Sequence, residues 1–160
     1  MKMCKGILLK SIVMSLIFFV FLPISLASNK QSQLSVTGHW ETIDGKTQKP
    51  SSIVAIQKQG AFYIGKVIKT FRIPGEKAGV PYCVACRGNQ KNKPIMGLEI
   101  IQGMICRLGY CHGGTILDPR NGNIYHATMR LIDAGKKLRV RGYVGLPVFG
   151  KTVMWNRVVK

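Results

Sequence analysis

The chain has 160 residues, with 24 Lys and Arg against 6 Asp and Glu, so its formal net charge is +18 and its pI is about 10.1. This length is that of one domain, and an apolar content of 46% excludes an acidic disordered chain and a polar basic tail. A repeat protein is disfavoured, because no period of about 20–50 residues recurs. The charge taken alone favours nucleic acid as a partner.

The first 27 residues have the pattern of a secretory signal peptide. A segment with three lysines and no acidic residue precedes an apolar run over residues 11–26, and Ser25-Leu26-Ala27 places small residues where a signal peptidase cuts. The alternative is a single membrane anchor. Pro23 and the shortness of the run disfavour it, because a span needs about 20 apolar residues. We therefore predict a secreted or periplasmic protein, cleaved near Ala27-Ser28.

Export changes the interpretation of the charge and of the cysteines. Cleavage removes Cys4 and leaves Cys83, Cys86, Cys106 and Cys111, an even number that favours disulfides in an exported chain. An exported protein meets no genome, so we expect no nucleic-acid partner. The anionic partners that remain are envelope surfaces, lipid head groups and acidic polymers.

The mature chain begins with a polar stretch at 28–35, predicted to be flexible, and continues as one domain over 36–160. Within this domain we predict about eight β-strands, because short β-like segments are separated by turn residues, many of them glycines. In chain order the segments are Val36–Thr42, Ser52–Gln57, Ala61–Phe71, Leu98–Cys106, Gly113–Leu117, Asn123–Ile132, Lys136–Gly145 and Thr152–Val158. Their regular spacing predicts an all-β fold, either an antiparallel barrel or a sandwich. A short helix at Leu98–Met104 is the alternative for the fourth segment.

Short motifs lie in order along nearly the whole mature chain. They are Gly38-His39-Trp40, Cys83-Val84-Ala85-Cys86, Lys93-Pro94-Ile95-Met96-Gly97-Leu98, Gly113-Gly114-Thr115-Ile116-Leu117-Asp118-Pro119, Asn121-Gly122-Asn123-Ile124-Tyr125, Arg141-Gly142-Tyr143-Val144-Gly145 and Trp155-Asn156-Arg157. Each motif is weak alone, but in this order they resemble a family of small secreted bacterial proteins known as domain-of-unknown-function family 2147. The resemblance implies a lipocalin-like (calycin-like) fold, a single antiparallel meander β-barrel of about eight strands, with no established activity.

The resemblance also implies how one end of the barrel is closed. In lipocalin-like barrels a Gly-x-Trp on the first strand lies at the floor, and a basic residue of the last strand packs over the indole. Here these residues are Gly38, Trp40 and Arg157. A guanidinium over an indole face contributes about 0.5–2 kcal/mol, so we expect these residues to be structural and not catalytic.

The last strands alternate clearly and supply candidate residues for both of their faces. The apolar candidates for a ligand in the barrel mouth are Tyr125, Ala127, Met129, Leu138, Val140 and Val144. The same side chains would fill a core if the barrel is not hollow, since a barrel of eight strands holds either side chains or one small ligand. The opposite face carries the basic row Lys137, Arg139 and Arg141, which is either a solvated exterior or, together with Arg87, Lys91 and Lys93 of the long loop, a surface for anionic partners.

The four mature cysteines allow three interpretations. Cys83-x-x-Cys86 with Cys106 and Cys111 has enough thiolates for a tetrahedral zinc, and a C-x-x-C is also typical of redox centres. Two structural disulfides are favoured because the chain is exported, and we predict local pairing within each short segment. Each such loop stabilises the fold by about 2 kcal/mol on the chain-entropy estimate.

Other chemistry-bearing residues give weaker patterns. A predicted turn contains Asp118, Pro119, Asn121 and Gly122. In this turn the Asp118 side chain is expected to cap backbone amides, and acid–base work by Asp118 with Tyr125 or His126 is a weak alternative. The histidines show no metal-ligand spacing and no nucleophile elbow or phosphate loop is present, so we expect no metal, no cofactor and no enzymatic activity.

These observations predict a secreted or periplasmic barrel that binds a small apolar or amphipathic ligand. One alternative is a basic module that binds the envelope surface or anionic lipid. A more remote alternative is a redox enzyme that uses the C-x-x-C motif, or a hydrolytic enzyme. The oligomeric state is not predicted.

Overall fold

A computed structural model describes residues 35–45, 47–71 and 82–159 of the chain. The predicted signal peptide (1–27) and all but the last residue of the stretch at 28–35 lie outside the described residues. The described part contains the strands β1 (Gly38–Ile43), β2 (Pro50–Gln59), β3 (Phe62–Thr70), β4 (Glu99–Arg107), β5 (Tyr110–Asp118), β6 (Asn123–Ile132), β7 (Lys137–Tyr143) and β8 (Lys151–Arg157). Each predicted segment corresponds to one strand, and the alternative helix at Leu98–Met104 is wrong because β4 occupies this segment.

The eight strands form one closed antiparallel barrel in sequence order. Each strand pairs with the next, and β8 pairs back with β1, where Trp40 lies opposite Arg157. The predicted meander barrel is therefore confirmed. Because successive strands run in opposite directions, alternate connections lie at the same end. We call the end with the short connections after β2, β4 and β6 the turn end, and the end with the connections after β1, β3, β5 and β7 the loop end.

The connections contain short 3-10 helices. These are Gly88–Gln90, Asp133–Gly135 and Pro147–Phe149. Among the described residues no helix has the length and apolar character needed to cross a membrane.

The turn between β4 and β5 lies within the connection predicted between Cys106 and Gly113, and it is shorter than that connection. Leu108 and Gly109 both have positive φ, 48° and 74°, as the two central residues of a tight hairpin turn of type I′ do. This turn places Cys106 directly opposite Cys111, and the two residues form a disulfide. As a result β5 begins at Tyr110, earlier than the predicted start.

The interior of the barrel is filled by apolar side chains. The largest fully buried ones include Trp40, Ile101, Met104, Met129 and Leu138, and all five belong to one core cluster. Gly65 on β3 makes room for this packing, because a Cβ there would lie 2.9 Å from Cδ1 of Ile101. In a barrel of eight strands the interior is about wide enough for side chains to fill, which is the arrangement found here.

The turn end of the barrel is closed by Trp40 and Arg157. Trp40 is fully buried, and its indole nitrogen donates a hydrogen bond of 2.8 Å to the carbonyl of Val36. The Arg157 guanidinium lies 4.2 Å from the centre of the Trp40 ring, which is a cation–π distance. It also donates to the carbonyls of Ser35, Thr37 and Gly135 at 2.6, 3.0 and 2.6 Å. One side chain therefore ties the start of β1, the end of β8 and the β6–β7 turn together.

Gly38 lies next to this closure, at the start of β1. Its φ is +127°, and a Cβ at this position would lie 3.0 Å from Nη1 of Arg157. A glycine therefore lets the first strand enter the barrel beside the guanidinium without displacing it.

The described part of the long β3–β4 connection is held against the β5–β6 turn. Cys83 and Cys86 form the second disulfide and are 0% and 3% exposed. Gly122, with a φ of +71°, lies so close to the Ala85 carbonyl that a Cβ would overlap it. The predicted local pairing of the cysteines is confirmed in both segments. Two disulfides are compatible with an extracellular or periplasmic location.

Candidate functional site

The structure divides the six predicted ligand-binding residues into two groups. One group is at most 1% exposed and lies in the packed core: Ala127, Met129, Leu138 and Val140. The other group, Tyr125 and Val144, lies at the loop end and lines a cleft. The side chains that were candidates for an internal pocket therefore mainly fill the barrel, and the open cleft lies at its rim.

The cleft at the rim, which we call the rim cleft, has a volume of about 170 Å³. It is formed by the adjacent ends of β5, β6 and β7 and by the residues that follow β7. Its lining consists of Thr115, Ile124, Tyr125, His126, Tyr143, Val144 and Gly145. The lining combines apolar and aromatic surface with three hydroxyl groups and an imidazole, which is the mixed character common in small-molecule sites.

Val144 differs from its predicted orientation. The alternation of β7 predicts that it faces inward with Leu138 and Val140, yet it is 69% exposed. The physical reason is that β7 ends at Tyr143, so the two-residue period no longer determines where the following side chain lies.

Tyr125 is supported by the turn that precedes β6. Its hydroxyl oxygen accepts hydrogen bonds from Nδ2 of Asn121 at 3.2 Å and from Nδ2 of Asn123 at 3.3 Å. Within the turn, the Asn121 side-chain oxygen accepts from the Asn123 amide at 2.9 Å. The Gly122 amide donates to the Asp118 carbonyl at 2.8 Å. The predicted turn therefore positions one wall of the rim cleft.

The Asp118 carboxylate caps the same turn. Its Oδ1 accepts from the Arg120 amide at 3.0 Å, and the Arg120 guanidinium donates to both of its oxygens at 3.1 Å. The carbonyl oxygen of Pro119, also in this turn, lies 3.3 Å from Sγ of Cys83. These contacts describe a turn former, and they give no support to the weak alternative of acid–base work by Asp118.

An ion pair that the sequence patterns did not single out joins two loops of the loop end, and it pairs a buried carboxylate with an exposed arginine. Asp44 is 5% exposed. Its Oδ2 accepts from Nη1 of Arg120 at 2.7 Å, and its Oδ1 accepts from the amide and hydroxyl of Thr47. Arg120 thus connects the β1–β2 and β5–β6 connections. The sequence does place Arg120 inside the predicted Asp118–Gly122 turn. No sequence pattern indicates that its partner is Asp44.

The β7–β8 connection carries an apolar tip beside the rim cleft. Leu146, Val148 and Phe149 are 64%, 70% and 81% exposed. Their backbone is held by Arg141, whose guanidinium donates to the carbonyls of Pro147 and Val148 at 2.7 and 3.0 Å. The tip is therefore a loop whose backbone is fixed by hydrogen bonds from Arg141, and it presents apolar side chains to solvent next to the cleft.

Arg141 consequently differs from the other members of the predicted basic row. Besides the two loop carbonyls it donates to the Thr152 hydroxyl at 2.8 Å, and the side chain is half-buried. Lys137 is exposed and lies 3.8 Å from a carboxylate oxygen of Asp133, and Arg139 is exposed. The row is thus outward-facing, but Arg141 is used mainly to hold the β7–β8 loop.

A second, larger groove lies on the barrel exterior beside the β3–β4 connection. Its volume is about 360 Å³. The lining residues are Lys66, Gln90, Lys93, Pro94, Met96, Gly97, Leu98, Glu99 and Gln102. Lys66 and Glu99 face each other across it at 3.9 Å. None of the six predicted ligand-binding residues lines this groove.

The remaining question is whether the described residues form a metal site or contain a group with a shifted pKa. Within 35–45, 47–71 and 82–159, no group of three or more His, Cys, Asp or Glu side chains is arranged to hold a metal ion. Burial lowers the pKa of Arg157 below its ordinary value, because desolvation disfavours the charged guanidinium. Arg157 lies at the closed turn end of the barrel, away from the rim cleft.

A closed antiparallel meander of eight strands, with a Trp–Arg pair at one end and a cleft at the other, defines a lipocalin-like barrel protein. In agreement, the fold is similar to the solved structure of protein HP1028 from the human pathogen Helicobacter pylori, which is described as belonging to the lipocalin family. The TM-score is 0.66 at 19% sequence identity, over 79% of this chain and 84% of that chain. An identity this low shows the fold alone.

The sequence comparison identifies the family. A profile of the family described as "Uncharacterized protein conserved in bacteria (DUF2147)" matches residues 38–157. The chain therefore belongs to this family, as its motifs indicated. No curated protein matches the chain.

Proposed function

We propose that the protein is a secreted or periplasmic binding protein that takes a small amphipathic ligand at the rim cleft. The observation that carries this proposal is the position of Tyr125 and Val144, two of the predicted ligand-binding residues, in one open cleft. The other four are packed in the core, which favours the rim over the interior.

The chemistry of the lining suggests how such a ligand would lie. Ile124 and Val144 are 63% and 69% exposed, so they have apolar surface available to a ligand. The rings of His126 and Tyr143, 5.7 Å apart, add polar groups to the same lining. A ligand with an apolar body and one polar group fits this division, and the volume of about 170 Å³ limits it to a small molecule or to one end of a longer one.

The apolar tip of the β7–β8 connection extends the same surface. Exposed Leu146, Val148 and Phe149 continue the apolar wall beyond Val144. Contiguous exposed apolar groups on a soluble domain are typical of binding surfaces, because their burial against a partner is favourable. The C-x-x-C redox alternative has less support, because Cys83 and Cys86 are 0% and 3% exposed and so present almost no surface to a substrate.

A fluorescent probe tests the site. N-phenyl-1-naphthylamine is titrated into the wild type and into Val144→Asp, with palmitate as a competitor. Removing the apolar wall and adding a carboxylate should weaken binding by about tenfold or more, since burying a valine side chain contributes about 1.5 kcal/mol or more and 1.4 kcal/mol corresponds to a factor of ten.

The matched control is Val159→Asp. Val159 is 84% exposed and follows β8 at the opposite end of the barrel. This variant makes the same chemical change and should bind the probe as the wild type does. If Val144→Asp binds with unchanged affinity, or if both variants lose affinity equally, the rim cleft is not the site.

A further inference from the structure

A straight row of arginines crosses the outer face of four strands. Arg107 on β4 is paired with Tyr110 on β5, Tyr110 with Arg130 on β6, and Arg130 with Arg139 on β7. We call these four residues the arginine row. Neighbouring strands lie about 4.8 Å apart, so the row spans about 14 Å. It lies near the turn end, because Arg107 and Tyr110 flank the β4–β5 turn.

The row places like charges directly opposite each other. Arg130 and Arg139 are cross-strand partners, and their Cβ atoms are expected about 4.5–5.5 Å apart. Like charges in this arrangement destabilise a sheet. The side chains of Arg107, Arg130 and Arg139 are all exposed, so nothing in the core requires the pair.

The ion pairs formed among the described residues lie elsewhere. They are Lys66–Glu99, Arg120–Asp44, Arg120–Asp118 and Lys137–Asp133. Arg141 and Arg157 donate to backbone carbonyls and have structural roles. The charges of the arginine row are therefore not neutralised by a carboxylate of the described chain.

The Tyr110 ring holds one guanidinium of the row, that of Arg130, in place. The Arg130 guanidinium lies 5.4 Å from the centre of the Tyr110 ring, and the Tyr110 ring is stacked with His112 at 5.8 Å. A guanidinium held against a ring face keeps its N–H groups directed outward in its own plane. These N–H groups remain available to an acceptor with several oxygens.

We propose that the arginine row binds a phosphate group, with Arg130 and Arg139 sharing one phosphate and Arg107 contacting a second anionic group of the same ligand. Phosphate is favoured because its charge offsets both guanidinium groups and because its oxygens match the arginine fork, which donates two parallel hydrogen bonds. The proposal does not rest on the rim cleft, since the row lies toward the opposite end of the barrel. The ligand is a soluble phosphate ester or the phosphate of a lipid head group.

Calorimetric titration with inorganic pyrophosphate tests the proposal, with sodium chloride added to keep the ionic strength constant. The variants are Arg130→Gln and Arg139→Gln, and the matched control is Arg87→Gln, which removes an exposed arginine of the β3–β4 connection. We expect each row variant to bind pyrophosphate about tenfold or more weakly than the wild type, and Arg87→Gln to bind it equally well.

A thermal melt without phosphate separates loss of binding from loss of folding. Removing one of two opposed like charges should leave the melting temperature of Arg139→Gln unchanged or raise it. Pyrophosphate should then raise the melting temperature of the wild type and not that of Arg139→Gln. Equal affinity in the wild type and both row variants would overturn the proposal, as would an equal loss in Arg87→Gln, which would show a diffuse charge effect.

Vesicles identify the source of the phosphate. The wild type is floated with phosphatidylglycerol vesicles and with phosphatidylcholine vesicles, with and without pyrophosphate. Row-dependent binding to phosphatidylglycerol that pyrophosphate displaces supports a lipid head group. Pyrophosphate binding without vesicle binding supports a soluble phosphate ester. Absence of binding to pyrophosphate and to both vesicles would refute the site.

Discussion

The closure of the turn end makes a specific prediction for Arg157→Lys. Arginine at this position donates to three backbone carbonyls, those of Ser35, Thr37 and Gly135, and lies 4.2 Å from the centre of the Trp40 ring. Lysine retains the positive charge and a cation–π contact. Its single ammonium at the end of a flexible stem cannot reproduce the planar fork, so we expect it to keep at most one of the three hydrogen bonds.

The magnitude follows from the two hydrogen bonds that are lost. A hydrogen bond to a charged group contributes about 1.5–3 kcal/mol, and the lower value applies because Arg157 is only partly buried. We therefore expect Arg157→Lys to lower the free energy of unfolding by about 3 kcal/mol. For a domain of this size the melting temperature should fall by about 10 °C. Urea denaturation followed by tryptophan fluorescence measures the change directly, since Trp40 reports on the closure.

The matched control is Arg139→Lys. Arg139 is exposed and donates no hydrogen bond to the backbone among the described contacts, so its stability should change by less than about 0.5 kcal/mol. A loss below 0.5 kcal/mol in Arg157→Lys would show that the three carbonyl contacts do not stabilise the barrel. An equal loss in both variants would show a general effect of arginine replacement, and the reasoning about the closure would be wrong.

Two further changes test a close contact between two loops and the disulfide between β4 and β5. Gly122→Ala should cost about 2–5 kcal/mol, because an alanine at φ +71° is strained and its Cβ overlaps the Ala85 carbonyl. Gly60→Ala, at φ +60° with no atom within 4 Å, should cost only about 1 kcal/mol in the same melts; similar losses in the two variants would contradict the close approach. Replacing Cys106 and Cys111 together by alanine should cost about 2 kcal/mol in urea denaturation, and a double variant as stable as the wild type would show that this disulfide does not stabilise the fold.

The strands were predictable because their signals are local. The alternation along β6 and β7 arises because every second side chain faces the core, so it can be read from a short segment. The order of the motifs along the chain indicated a family whose members form a barrel. The local pairing of the cysteines followed from the same local geometry, since a short hairpin brings Cys106 opposite Cys111. The type of this turn was not predictable, because Leu108 adopts a positive φ that leucine rarely takes.

The site was harder to predict because it depends on where strands end and how they are paired. Val144 lies one residue beyond the end of β7, so the alternation of the strand does not determine its orientation. Arg141 donates to a carbonyl of the β7–β8 loop instead of facing solvent freely. The ion pair of the buried Asp44 with Arg120 joins residues distant in the chain. The arginine row exists only through the register of β4 to β7, and no single segment of sequence contains that register.

The two proposed sites are separable because of their positions along one strand. Tyr125 of the rim cleft and Arg130 of the arginine row both lie on β6. At a rise of about 3.4 Å per residue they are about 17 Å apart. Residues more than about 7–10 Å apart that share no partners contribute independently to stability and binding. An apolar ligand at the loop end and a phosphate group near the turn end can therefore be tested one at a time. The failure of either site leaves the evidence for the other intact.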